Sequence, residues 1–237
     1  MKSYRIFLTG GSSGIGAAIA QELTQRGHRV FLTARNESAL RNVAGQCPKE
    51  LVNFQVADVT QPDQMAAAVK DMASLWGGID VCIPNAGLGI FSPLKEAELT
   101  QWKTMVDINI MGVLNTLHAA LPELIKNRGH IIQIGSIAAR NVFPNSGVYC
   151  ATKHAVLALS ESLRLEFREE LAVTTINPGA VNTAFINQTE NAELRESYRP
   201  QFEEGMSPGF IAEAIAMAIE SAGKGVFSEI TVRPDRR

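Results

Sequence analysis

The chain has 237 residues, 46% of them hydrophobic and 19% charged, which is enough apolar material for one full core and too much for a disordered chain. A formal net charge of -2, with no block of one sign, offers no basic surface to a phosphate backbone, so nucleic acid is not expected as a partner. Three cysteines, Cys47, Cys82 and Cys150, form an odd set without C-x-x-C spacing, which predicts reduced thiols and neither a disulfide framework nor a metal site.

The opening stretch "MKSYRIFLTG" lacks the apolar core and cleavage site of a signal peptide, and no apolar run is expected to reach bilayer length. A cytoplasmic protein without membrane contact is the expectation. Short runs rich in Val, Ile and Phe follow one another along the chain at "YRIFLT", "RVFLTA", "LVNFQVAD", "IDVCIP", "GHIIQIGS" and "AVTTINP", separated by segments of helical period such as Ile15 to Arg26. This alternation specifies an α/β fold: a doubly wound, mainly parallel sheet, expected to have seven strands, with helices on both faces and ligands at the carboxyl ends of the strands. No repeat or Pro/Gly-rich linker divides residues 1–237, so a single domain is expected.

The first strand ends in "TGGSSGIG", Thr9 to Gly16, which opens a helix. Glycines at this junction let the backbone approach a pyrophosphate held against free N–H groups at the positive end of the helix, and no Lys follows as a P-loop requires. An ordinary glycine turn is the competing reading. Farther on, "VYCATK", Val148 to Lys153, puts a phenol and an ammonium four residues apart, on one helix face and about 5 to 6 Å apart at Cβ. Y-x-x-x-K alone is a weak signal. Neighbouring Cys150 has no histidine placed as its base, and His154 projects about 100° away from Lys153, so both are read as structural.

The order of "TGGSSGIG", "DV" at Asp58 and Val59, "NAG" at Asn85 to Gly87, Asn109, Ser136 thirteen positions before Tyr149, "YCATK", and "PG" at Pro178 and Gly179 resembles the short-chain dehydrogenase/reductase family over nearly the whole chain. The resemblance implies hydride transfer between a nicotinamide and a carbonyl or alcohol, with Tyr149 as general acid or base, Lys153 beside it, Ser136 bonding the substrate oxygen, and Asn109 holding a water that relays protons to Lys153. It implies further that Gly10, Ser12, Ser13, Gly14, Ile15 and Gly16 hold the pyrophosphate. Asp58 and Val59 would meet the adenine, and Asn85, Ala86 and Gly87 its ribose. Tyr149 and Lys153 would meet the nicotinamide ribose, and Pro178, Gly179, Val181 and Thr183 the nicotinamide itself. Family members commonly pair into homodimers or homotetramers, here through helices expected at Gln101 to Lys126 and Gly147 to Glu169.

The Lys153 ammonium, with the oxidised nicotinamide, would favour the phenolate: one such charge about 4 Å away, at an effective dielectric near 20, is worth roughly 4 kcal/mol before desolvation, so the Tyr149 pKa is expected to shift by about two or three units. After the second strand the chain reads "LTARN". No carboxylate is available there for a free ribose 2′-hydroxyl, and Arg35 can fork onto a 2′-phosphate, which favours NADP(H). One departure from the family stands at Pro84, where a second Asn is usual; without an N–H, it should end the fourth strand by Ile83 and alter the adenosine pocket.

Ser136 is not a hydrolase nucleophile, since "IGSIA" is not G-x-S-x-G. Residues 184–206 are polar and weakly periodic, the profile of a substrate lid. The closing "SEITVRPDRR" resembles the tail of the family's NADP-dependent 3-hydroxy acid and serine dehydrogenases. A carboxylated substrate needs a cation, for which Arg140, Arg195 and Arg199 are candidates, the competing reading being surface pairs with Glu193, Glu196 and Glu203. The expectation is an NADP(H)-dependent oxidoreductase of a small carbonyl or hydroxy acid. A broad reductase of apolar ketones and aldehydes and a non-catalytic NADP(H) sensor are the alternatives.

Overall fold

A computed structural model describes residues 2–236. Its strands are β1 (Arg5–Thr9), β2 (Arg29–Ala34), β3 (Val52–Val56), β4 (Val81–Ile83), β5 (His130–Ile134), β6 (Ala172–Pro178) and β7 (Glu229–Val232). The helices are α1 (Gly14–Gln25), α2 (Glu37–Ala44), α3 (Pro62–Trp76), α4 (Leu99–Val106), α5 (Gly112–Asn127), α6 (Gly147–Glu166), α7 (Ala192–Glu203) and α8 (Pro208–Glu220). All seven strands are parallel, in the order β3-β2-β1-β4-β5-β6-β7. The six apolar runs read from the sequence each hold one strand, and β7 lies in the closing segment.

Both faces of the sheet are covered, so the inner strands carry apolar residues on both sides instead of alternating, with Gln133 of β5 and Thr174, Thr175 and Asn177 of β6 among the buried polar exceptions. Ile6 and Leu8 of β1 pack with Ile19 and Leu23 of α1 and Ile211 and Ile215 of α8. Phe7, from the opposite face of the same strand, packs with Met72 of α3, Leu117 of α5 and Val156 of α6. Strand order reverses between β1 and β4, where successive crossovers leave on opposite faces and a crevice opens at the carboxyl ends.

The fourth strand does end at Ile83, one residue before Pro84. Helices α4 and α5 run on as one through a π turn at Asp107–Met111, and the combined Leu99–Asn127 is long and apolar enough to cross a bilayer by length and composition. In the fold, this helix packs Val113, Leu117, Ala120 and Leu124 onto the sheet. Between β6 and α8, a 3₁₀ turn (Ala184–Gln188) and α7 cover part of the crevice; α7 has no buried residue.

Candidate active site

A cleft of about 420 Å³ lies at the carboxyl ends of the strands. Its lining gathers every expected catalytic and cofactor-binding residue except Asn109: the glycine loop, Arg35, Asp58, Val59, Asn85 to Gly87, Ser136, Tyr149, Lys153, Pro178, Gly179, Val181 and Thr183. In the glycine loop, Gly10 has φ +68° and a Cβ there would stand 2.8 Å from Ala86 Cα. Only glycine fits that close approach. Ser13 occupies the N-cap position of α1, yet its hydroxyl makes no capping bond, so the first-turn N–H groups and this hydroxyl face the cleft as an anion cradle that fits a pyrophosphate.

Asn85 has a local task beside the expected one. Its amide nitrogen donates to Thr9 O at 2.9 Å and Gly10 O at 3.2 Å, and the backbone N–H groups of Asn85 and Ala86 both donate to Thr9 Oγ1 at 3.1 Å. With no N–H at Pro84, the chain leaves the ladder early and fastens itself to the glycine loop instead. Asn85 still lines the cleft, but its Nδ2 braces the loop. Asp58 Oδ1 accepts from the backbone N and the hydroxyl of Thr60, both at 2.9 Å, which fixes its carboxylate at the rim. Arg35 is exposed at the end of β2, and among the described residues it has no hydrogen bond or ion pair.

At the other end of the cleft, α6 presents Tyr149 and Lys153 on one face, as their spacing requires. Lys153 Nζ donates to Ile134 O at 2.8 Å and lies 6.0 Å from the centroid of the Tyr149 ring. The Ser136 hydroxyl accepts from Ala138 N at 3.0 Å and lines the same end of the cleft as the Tyr149 phenol. Burial pushes the phenol up to about 12, outweighing the Ser136 hydroxyl, which acts downward. Burial also brings Lys153 down to about 8. In the chain alone, the loss of water acts on both groups and outweighs the lowering expected from the lysine.

Asn109 sits in the π turn, 1% exposed. Its Oδ1 accepts from Leu88 N at 2.9 Å, and its Nδ2 donates to Leu88 O at 2.8 Å and to Thr152 Oγ1 at 3.0 Å. The Thr152 hydroxyl in turn donates to Tyr149 O at 2.7 Å. The side chain thus clamps the loop after "NAG" to α6, with protein groups as its partners. Cys150 is buried, with Sγ 3.3 Å from Ser146 Oγ, while His154 faces outward and bonds Cys150 O.

The sequence reading missed the wall around Tyr149. Phe185 and Phe202 line the cleft with Leu88 and Gln188, and Phe91 and Tyr198 pack behind them. The Tyr149 ring meets Phe185 at 5.4 Å and Phe91 at 6.1 Å, centroid to centroid. Gly89 makes room for this: a Cβ there would be 2.8 Å from Phe185 Cε1 and 3.2 Å from Tyr149 Cδ2. The usable signal was the spacing of Phe185, Tyr198 and Phe202 within a polar stretch.

None of the three arginines proposed for a substrate carboxylate lines the cleft. Arg140 pairs with Glu229 at 2.6 Å, Arg199 with Glu196 at 2.7 Å and with Glu203 at 3.9 Å, and Arg195 donates to Thr189 O at 3.1 Å. Each is already committed to a partner of its own, the surface-pair reading for Arg199 included.

The profile of the short chain dehydrogenase family matches residues 5–194, and the chain belongs to that family. An uncharacterized oxidoreductase of Staphylococcus saprophyticus is 34% identical over 99% of this chain and 97% of its own. Among solved structures, an alcohol dehydrogenase of the archaeon Thermococcus sibiricus, complexed with 5-hydroxy-NADP, superposes with a TM-score of 0.89 at 28% identity, over 100% of this chain and 98% of that one. The closed form of a serine dehydrogenase complexed with NADP+ gives 0.89 at 27% identity, over 97% and 94%. The protein is an oxidoreductase of the short-chain dehydrogenase type, on a seven-stranded parallel Rossmann-like domain.

Proposed function

We propose that the protein is an NADP(H)-dependent carbonyl reductase whose substrate is uncharged and largely apolar around the reacting carbon. The observation that carries the reading is the convergence of Ser136, Tyr149 and Lys153 on one end of a cleft whose other end is a glycine-loop anion cradle. The NADP complexes of two structural neighbours and the free guanidinium of Arg35 support the choice of NADP(H) over NAD(H). The aromatic wall of Phe185 and Phe202, and the engagement of Arg140, Arg195 and Arg199 elsewhere, favour an apolar ketone or aldehyde over a hydroxy acid.

NADPH, when bound, supplies the hydride. The chain's own residues do the rest. The first turn of α1 and the serines of the glycine loop hold the pyrophosphate, Arg35 the 2′-phosphate, and Val181 and Thr183 the carboxamide side. Ser136, whose Oγ already accepts from Ala138 N, donates its own proton to the substrate carbonyl and aims it at Tyr149. The phenol, held protonated by burial, gives its proton to the oxygen as charge develops there, and the Lys153 ammonium steadies the phenolate left behind. Asn109 acts through Leu88 and Thr152, by fixing the loop and helix that carry this set. Residues 184–206 act as the lid, and pairing through the α4–α5 and α6 faces into a dimer or tetramer is part of the reading.

Steady-state assay of a panel of aldehydes, apolar ketones, keto acids and their methyl esters, with NADPH and NADH in turn, tests it. Turnover of apolar carbonyls and of esters above acids is expected, with NADPH preferred. Binding of NADPH without turnover of any carbonyl would replace this reading with that of a nucleotide sensor.

A further inference from the structure

The carboxylate of Glu229 stands at the start of β7, outside the cleft, and joins two segments that line it. Its Oε1 accepts from Arg140 Nη2 at 2.6 Å, and its Oε2 accepts from Asn177 Nδ2 at 3.0 Å. Arg140 closes the 3₁₀ turn that Ser136 caps (Ile137–Ala139), and Asn177 is the residue before Pro178 and Gly179. One side chain therefore ties the Ser136 turn to the strand end that leads into the Val181 and Thr183 loop. The geometry follows from strand register: Glu229 lies opposite Thr175, and Asn177, two residues on, shares its face.

Asn177 extends the link inward. It is 2% exposed, and its Oδ1, buried without a partner, presses on Gly135, where any Cβ would collide with it. Gly135 immediately precedes Ser136, and its N–H donates to Ile176 O at 2.8 Å. The carbonyl end of Asn177 thus bears on the backbone next to Ser136 while its amide end is held by Glu229. The base of β7 is fixed independently, because Arg164 of α6, the helix that carries Tyr149 and Lys153, donates to Ser228 O at 3.0 Å. Glu229 is the junction of these anchors, and a carboxylate suits it because both partners are donors and each takes one oxygen.

We propose that Glu229, with Arg140 and Asn177, is a positioning network that sets the Ser136 hydroxyl against the nicotinamide loop. This rests on the reading of Ser136 as the hydrogen-bond partner of the substrate oxygen. The network touches no substrate. It sets the distance between the donor that orients the carbonyl and the loop that orients the hydride, a spacing on which misplacement by an ångström costs on the order of a hundredfold. The adenosine end, on β1 to β3, lies across the sheet and is not part of it.

The test uses Glu229→Ala, Arg140→Ala and the double variant. Arg140 is largely exposed, so its variant folds even if the Glu229 variant does not. Expected are a fall in kcat of about tenfold for Glu229→Ala and about threefold for Arg140→Ala, with the double no worse than Glu229→Ala alone and NADPH affinity within about twofold of the parent. Hydrogen exchange at the Ala138 and Ala139 amides, which bond Ser136, should rise in all three while that of the glycine loop stays unchanged; this readout does not depend on turnover, so absence of carbonyl reductase activity in the parent would sink the function and leave the network testable. Unchanged exchange at Ala138 and Ala139 in folded Arg140→Ala, or NADPH affinity falling in step with kcat, would overturn the proposal.

Discussion

Lys153 should cost the free protein stability at neutral pH, and the cost should fade as pH rises. Its pKa is about 8 in the fold, against an ordinary 10.5, because burial penalises the ammonium. Below the folded value both states hold the proton, and the folded state carries the whole penalty. Between the two values the unfolded chain keeps its proton while the folded one sheds it, so stability rises with pH across that window. At 1.36 kcal/mol per unit, the penalty is roughly 3 kcal/mol at pH 7 and about 1.5 kcal/mol at pH 9.5. Lys153→Met keeps the stem, removes the charge, and leaves Ile134 O without its donor, a loss of about 1 to 3 kcal/mol that does not vary with pH. The variant should therefore gain on the parent by about 2 kcal/mol more at pH 7 than at pH 9.5, as read by urea unfolding of both proteins without cofactor. Tyr149 and Cys82, both raised by burial, drop out of the comparison because they are common to the pair. If the two stability curves run parallel across that pH range, Lys153 is not the buried, weakened cation described.

Tyr149→Phe removes only the hydroxyl and its proton, so turnover should fall by at least about a thousandfold with NADPH affinity nearly unchanged; a residual tenth of the parental rate would remove Tyr149 as proton donor. Arg35→Ala should weaken NADPH by about 1.5 to 3 kcal/mol and leave NADH nearly untouched in equilibrium titration, and equal losses would take Arg35 out of phosphate recognition. Gly89→Val puts carbon where the Phe185 and Tyr149 rings now approach, and should reduce kcat/KM for apolar ketones by about tenfold or more with NADPH affinity retained; an unaffected rate would show that the aromatic wall does not shape catalysis. Since the Lys153 ammonium loses its proton as pH rises through about 8, NADPH-driven reduction should be level below that pH and decline above it, and a rate that climbs through pH 9 would contradict the role given to this cation.

What was legible in the sequence is what the backbone dictates. Runs such as "RVFLTA" and "AVTTINP" are strands to the residue, because their β-branched and aromatic side chains fit a pleated surface packed on both faces. Gly10 was legible because only glycine accepts its φ and its approach to Ala86, and Tyr149 and Lys153 because four residues make one turn of helix. Pro84 marked the end of β4 through its missing N–H, but the sequence could not say that Asn85 would then turn back to brace Thr9 and Gly10. Contacts between distant segments were illegible for a related reason. Arg140 and Glu229 are 89 positions apart, and only the crossover from β6 to β7 brings them together, so an arginine near Ser136 read as a substrate ligand is in fact part of the frame. The π turn at Asn109 carries no compositional mark.

The direction of the Tyr149 shift in the chain alone is instructive, because the expected Coulomb attraction and the burial come from the same packing. Bringing Lys153 close to the phenol requires α6 to lie on the end of β5, which removes water from both groups. A charge pair gains by proximity only what it does not lose by dehydration, and here the phenol goes up and the lysine goes down. The result distinguishes the two directions of the proposed reaction. Reduction consumes a phenol proton, and a phenol near 12 is protonated at every physiological pH, so the donor is always loaded. Oxidation starts from the phenolate, which this environment disfavours until another positive charge enters the cleft. The aromatic wall of Phe91, Phe185 and Phe202 that shapes the substrate end therefore also favours reduction, by helping to hold the proton on Tyr149 where a nascent alkoxide, a stronger base than phenolate, can take it.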